Sequence, residues 1–118
     1  MSKYEYIEKC INQFSEFTDK ENPYTRHVFS ADFKAARTWL CNELKLLGCE
    51  VARDYAGNLK GILKTSEASA KRVLLGSHLD TVFNGGRYDG IAGVVAGLSI
   101  VKSFEENGIN LPFNLEIY

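Results

Sequence analysis

The sequence predicts an α/β domain built on a mixed sheet. Three observations carry that reading. Apolar residues recur at helical spacing in three stretches, around 3–17, 31–47 and 90–106. Two short strand-like runs flank the turn "DYAGN" and read as an antiparallel hairpin. An apolar strand, a long helix and another strand then follow in order. That is a βαβ unit, whose strands should be parallel and whose crossover should be right-handed.

Taken in order, the first helix opens on Ser2. Ser2 and Glu5 form an S-x-x-E capping box, and Tyr6, Cys10, Phe14 and Phe17 make the apolar face. Asn22-Pro23 closes that region. Ser30 is placed to cap the second helix, whose apolar face is Phe33, Ala36, Leu40, Leu44 and Leu47, with Gly48 as its stop. "CEVAR" (49–53) and "LKGILKT" (59–65) are the hairpin strands, and "SEASAK" is a polar loop. "RVLLGS" (72–77) is the most hydrophobic run, which predicts a central strand buried on both faces. The third helix carries Val94, Val95, Leu98, Val101 and Phe104 on one face. Its glycines Gly90, Gly93 and Gly97 would allow close packing on a sheet, and Gly108 stops it. "FNLEIY" (113–118) is the last strand. No repeat or linker divides the chain, so residues 1–118 are expected to form one unit.

Composition narrows the function classes. Hydrophobic residues make up 45% and charged residues 25%, an ordinary globular balance. The net charge is -1, with no basic stripe, which argues against a nucleic-acid partner. The longest apolar run is far short of a membrane span. The opening "MSKYEYIEKC" has no signal-peptide core. Cys10, Cys41 and Cys49 are odd in number and widely spaced, so they predict reduced thiols and a cytoplasmic protein.

The chemistry gathers in "GSHLDTVFNGGRYDGIAG", just past the apolar strand. Ligands in open α/β sheets bind beyond the carboxyl ends of the strands. His78 is a candidate metal ligand there, and Asp80 lies two residues on, where an extended chain points both side chains one way. Asp80 could then accept a hydrogen bond from the second ring nitrogen of His78 and fix its tautomer. Asp89 sits at the start of the third helix. Its carboxylate has two oxygens, enough to bridge two cations about 3.5–4 Å apart. On spacing alone, a polar loop with turn-forming and helix-capping aspartates is the competing reading. His27 reads as a surface or locally satisfied residue. Arg87 could meet an anion or simply be solvated.

"GSHLDTVFNGGRYDGIAGVVAGLSIV" resembles the signature of the metal-dependent amidohydrolases that include N-carbamoyl-L-amino acid hydrolase, allantoate amidohydrolase and β-ureidopropionase. These belong to a broader group of aminoacylase and carboxypeptidase-G type metallopeptidases. "TRHVFSADFKAARTWLCNELKLLGCEV" and "DYAGNLKG" resemble two further segments of the family, so the likeness runs through nearly the whole chain. His78 and Asp89 are eleven positions apart, a compact spacing that resembles the carbamoylase branch rather than the deacylase and dipeptidase relatives.

The resemblance implies a truncated three-layer α/β/α zinc-aminopeptidase-like catalytic domain with a mixed sheet, of which residues 1–118 are the N-terminal part. It implies that His78 binds one metal, that Asp80 orients His78, and that Asp89 bridges two metals. The intact enzyme would use two divalent ions (Zn, Mn, Co or Ni) on a small-molecule carbamoyl or ureido substrate, and would be a homodimer. Arg26 and Ser30 match the family pattern without an assigned catalytic role, and the turn Gly57–Leu59 is structural.

The family's general base, its remaining ligands and its smaller domain belong to sequence beyond "NLEIY". The isolated chain is therefore expected to bind metal weakly or not at all and to be inactive. An uncovered edge at the last strand would make it self-associate. The alternatives are a metallopeptidase or N-acyl amino acid deacylase fragment and a non-catalytic interaction module.

Overall fold

The computed structural model describes residues 1–65 and 71–118, so most of the expected "SEASAK" loop lies outside the described residues. Helix α1 spans Lys3–Glu16. The Ser2 hydroxyl accepts from the Glu5 N–H while the Glu5 carboxylate accepts from the Ser2 N–H, closing the predicted capping box. Helix α2 spans Ala31–Leu46, capped by the Ser30 hydroxyl, which accepts from Phe33 N at 3.1 Å. Strands β1 (Glu50–Arg53) and β2 (Leu59–Leu63) form the predicted hairpin. Its turn is held by Asp54, whose carboxylate accepts from the backbone N–H groups of Ala56 and Asn58 and from the Asn58 side-chain amide. Those bonds hold the Asp54 carboxyl below its ordinary range.

Strand β3 (Lys71–Leu75), helix α3 (Ile91–Glu106) and strand β4 (Phe113–Ile117) complete the fold. The strand order is β1-β2-β4-β3; β4 is antiparallel to β2 and parallel to β3. The sheet is mixed and the βαβ strands are parallel, as the sequence predicts.

Two expectations about strand placement are corrected. The apolar run of β3 is not central or buried on both faces: β3 is an edge strand, and Leu74 is 52% exposed. Among the described residues β3 pairs only with β4, and no helix packs on the face on which Leu74 lies. Nor is β4 an edge. It inserts between the hairpin and β3, so the open edge beside it belongs to β3.

All three helices lie on one face of the sheet. Gly61 of β2 and Ile117 of β4 are directly paired and so share a face. Leu44 of α2 sits so close over Gly61 that an added Cβ would come 2.7 Å from its Cδ2. Gly97 of α3 packs on Ile117, and its absent Cβ is what allows the approach. Helix α1 rests on both. The Tyr6 hydroxyl donates to Glu43 of α2 at 2.8 Å, the rings of Phe14 and Trp39 meet edge-to-face at 4.9 Å, and the Lys102 ammonium of α3 lies 5.0 Å above the Tyr6 ring.

The described residues therefore supply one helical layer and the sheet. The opposite face carries Arg72, Leu74, Asn114 and Glu116, with Glu116 buried beside the Arg72 guanidinium at 3.5 Å. The second helical layer of a three-layer architecture is not among the described residues.

The cysteines are free, as expected. Cys10 and Cys49 are buried, and burial pushes both thiols up to about 11. Among the described residues no helix is long and apolar enough to cross a membrane.

Two substitutions test this packing. Leu98 is fully buried, so Leu98→Ala should cost about 2–5 kcal/mol by urea unfolding. Burial and the bond to Glu43 raise the Tyr6 hydroxyl's pKa well above its ordinary value, which marks a phenol held as a donor. Tyr6→Phe strips the buried carboxylate of that donor and should cost roughly 2 kcal/mol. An unchanged unfolding midpoint would remove Glu43 from the core's polar balance.

Candidate metal-binding site

The parallel pair continues past the formal end of β3. The Tyr118 N–H donates to the Leu75 carbonyl at 2.8 Å, and the Ser77 N–H donates to the Tyr118 carbonyl at 3.2 Å. His78 follows at once, at the carboxyl end of the strand, where open α/β sheets bind ligands.

Its ring is oriented from the backbone. Nδ1 of His78 lies 2.8 Å from the carbonyl oxygen of Asp80. A carbonyl only accepts, so Nδ1 carries the proton and Nε2 presents a lone pair outward. The Asp80 carboxylate is the more distant partner, with Oδ1 at 3.4 Å from Nδ1. Asp80 thus meets His78 as the i, i+2 spacing predicts, but mainly through its main chain. The chain bends at Leu79, just before this contact, and the Asp80 carboxylate is half-exposed.

Asp89 lies on the other side of the ring, with Oδ1 at 3.9 Å from His78 Nε2. It does not cap α3: the N-cap is Gly90, with no side-chain cap bond. The carboxylate is therefore left available, which removes the capping half of the competing reading. Gly90 brings the two residues together. Its φ of 72° is open to glycine, and a Cβ there would lie 2.3 Å from the His78 carbonyl oxygen and 2.6 Å from Nδ1. The Ser77 hydroxyl closes the junction by donating to the Gly90 carbonyl at 2.7 Å.

One nitrogen and one oxygen donor are a chemically suitable pair for a divalent transition ion. Zinc bonds to each are about 2.0–2.2 Å long, so one ion can reach both across 3.9 Å. Among the described residues no group of three or more His, Cys, Asp and Glu side chains is placed to hold an ion. The pair fits as part of a ligand set, not as a whole one. Beside His78 and Asp80, a cleft of about 400 Å³ is walled by Val28, Phe29, Phe33, Leu40 and Tyr118.

A second segment braces the loop. The Arg26 N–H donates to the Thr81 hydroxyl at 2.8 Å, and the Thr81 N–H returns a bond to the Arg26 carbonyl at 2.9 Å. The Asn84 N–H donates to the Thr25 hydroxyl at 2.9 Å, and the Gly85 N–H to the Tyr24 carbonyl at 3.0 Å. The Arg26 side chain is itself buried, donating from Nε to the Leu79 carbonyl at 2.7 Å and from one terminal nitrogen to the carbonyls of Phe14 and Phe17.

Sequence reasoning missed the burial of Thr25, Arg26 and Thr81. The match of Thr25-Arg26 to a family segment was the one signal present. His27 is exposed, with its ring 6.5 Å from that of Phe83. Arg87 is tied to the Asn12 side chain and lies over Tyr88 at 5.8 Å. Ser30 serves as a helix cap.

No protein-family model matches the chain. It is 38% identical over 93 residues to the N-carbamoyl-L-amino acid amidohydrolase of Geobacillus stearothermophilus, covering 79% of this chain and 23% of that protein. It is 34% identical over 82 residues to the allantoate amidohydrolase of Bacillus subtilis, covering 70% of this chain and 20% of that one. A hydantoinase/carbamoylase family amidase from Burkholderia ambifaria superposes with a TM-score of 0.88 at 31% identity, over 94% of this chain and 27% of the other. The chain thus spans about a quarter of the length of these relatives.

Two glycine substitutions separate strain from collision. Gly86 also has positive φ, at 85°, but a Cβ there meets nothing within 4 Å. Gly86→Ala should cost roughly 1 kcal/mol from backbone strain alone. Gly90→Ala should cost more and should move the His78 ring resonances in an NMR spectrum. Equal costs with unmoved His78 signals would show that Gly90 does not seat the imidazole.

Proposed function

Because the chain belongs to the family of N-carbamoyl-L-amino acid and allantoate amidohydrolases, we propose that it forms the N-terminal part of a metal-dependent catalytic domain. The intact enzyme would hydrolyse the C–N bond of N-carbamoyl amino acids or related ureido compounds. The observation that carries this reading is the placement of His78 Nε2 and Asp89 Oδ1, 3.9 Å apart at the end of the parallel strand pair.

In this reading His78 would hold a divalent ion through Nε2, with the Asp80 carbonyl keeping the proton on Nδ1. Asp89 would be the carboxylate ligand shared between that ion and a second one. When bound, the ions would supply Lewis-acid polarisation of the scissile carbonyl and acidify a water molecule. The Asp80 carboxylate adds a negative charge near the ring, which favours its role as an electron-rich ligand.

Gly90 excludes a side chain from the space beside the imidazole. The general base and the remaining ligands would come from residues outside these 118. Alone, the chain should bind metal weakly and turn over no substrate. Its free thiols fit a reducing compartment such as the cytoplasm.

Cobalt(II) titration followed by visible absorbance tests the ligand assignment. His78→Ala and Asp89→Asn should each weaken binding at least tenfold in the full natural chain. Asp80→Asn keeps the backbone carbonyl and should lose less than either, and His27→Ala should change nothing. Wild-type affinity in His78→Ala would end the metal reading. An intact enzyme that cleaves N-acyl but not N-carbamoyl amino acids would redirect it to a deacylase.

A further inference from the structure

We propose that Arg26 is the positioning residue of the His78 loop, a buried clamp that sets where the imidazole points without touching a metal or substrate. The inference rests on the reading of His78 as a ligand. Arginine is almost never fully buried without a partner, yet Arg26 is 3% exposed. Its hydrogen-bond partners are main-chain carbonyls rather than a carboxylate.

Nε donates to Leu79, the residue between His78 and Asp80, at 2.7 Å. The terminal nitrogen donates to Phe14, in the last turn of α1, at 3.0 Å and to its C-cap residue Phe17 at 2.7 Å. Phe14 is a fully buried core residue, so one end of the clamp is anchored in the core. The other end holds the peptide whose neighbours are the ring and its orienting carbonyl.

The planar guanidinium makes divergent bonds in fixed directions, which a flexible ammonium cannot reproduce. Burial lowers the Arg26 pKa, partly offset by the charges of Asp32 and Asp80, which agrees with a cation satisfied by dipoles. A purely stabilising arginine would need only the contacts to Phe14 and Phe17. The bond to Leu79, together with the exchange between the Arg26 main chain and Thr81, directs the clamp at the site.

The test compares wild type with Arg26→Lys in the full natural chain, by ¹⁵N spectroscopy of the His78 ring at fixed pH and by cobalt(II) affinity. Wild type should show one tautomer, protonated at Nδ1. Arg26→Lys should show an exchanging mixture and a ten- to hundredfold loss of cobalt affinity, with its circular dichroism preserved. Leu98→Ala, destabilised at a distance, should keep both the tautomer and the affinity.

A folded Arg26→Lys with the wild-type tautomer and affinity would overturn the clamp. Should Arg26→Lys fail to fold, exchange of the Arg26 Nε proton in wild type decides. Protection matching that of the Thr81 amide supports the clamp, and exchange at the bulk rate refutes it. A wild type that takes up no cobalt would sink the metal reading, while the tautomer comparison would still judge the clamp.

Discussion

Strand β4 is where the architecture is joined. It is hydrogen-bonded on both sides, antiparallel to β2 and parallel to β3. Among the described residues it is the one strand that joins the hairpin to β3 within the sheet, since β2 and β3 do not pair. Its inward residues Leu115 and Ile117 are also the floor on which the helices rest, and both are buried. The same strand extends the ladder through Tyr118 to Ser77, and so sets the height at which His78 leaves the sheet. Fold and candidate site hang on one run of paired backbone.

The loop beyond that ladder is unusual in how little of its order comes from hydrophobic burial. His78, Asp80 and Asp89 are about half-exposed. What holds the loop is polar: the stitches from Tyr24, Thr25 and Arg26, the Ser77 bond to Gly90, and the Asp80 carbonyl on the ring. Such bonds each contribute about 1 kcal/mol net, yet fix direction far better than apolar contacts do. A ligand site benefits from that trade, because an ion pays for misplaced donors more than for loose packing.

Much of the fold was legible because its signals are local. The Ser2–Glu5 box, the Ser30 cap and the Asp54 turn depend on a few adjacent residues, and each forms as read. Strand order was not legible. "RVLLGS" looks central by hydrophobicity, but its place depends on which strands flank it, which periodicity does not encode.

At the site, the i, i+2 spacing predicts the Asp80 carboxylate as the partner of His78, whereas the Asp80 carbonyl stands nearer the ring, at 2.8 Å against 3.4 Å. The placement of His78 beside Asp89 followed from motif and glycine content. For the buried Arg26 the family match was the only signal: its burial has no local pattern, because arginine is ordinarily a surface residue and its partners are carbonyls, which every residue has.

The two buried thiols give the molecule internal clocks. Burial pushes both thiols up to about 11, so little thiolate is present at neutral pH, and it is the thiolate that attacks an alkylating reagent. Labelling at either cysteine therefore reports opening rather than reactivity. Cys10 times the separation of α1 from the core, and Cys49, just before β1, times the fraying of the hairpin side. Half-buried Cys41 serves as the internal standard. One alkylation series followed by peptide mass analysis would thus order the opening of the two ends of the fold without any engineered probe.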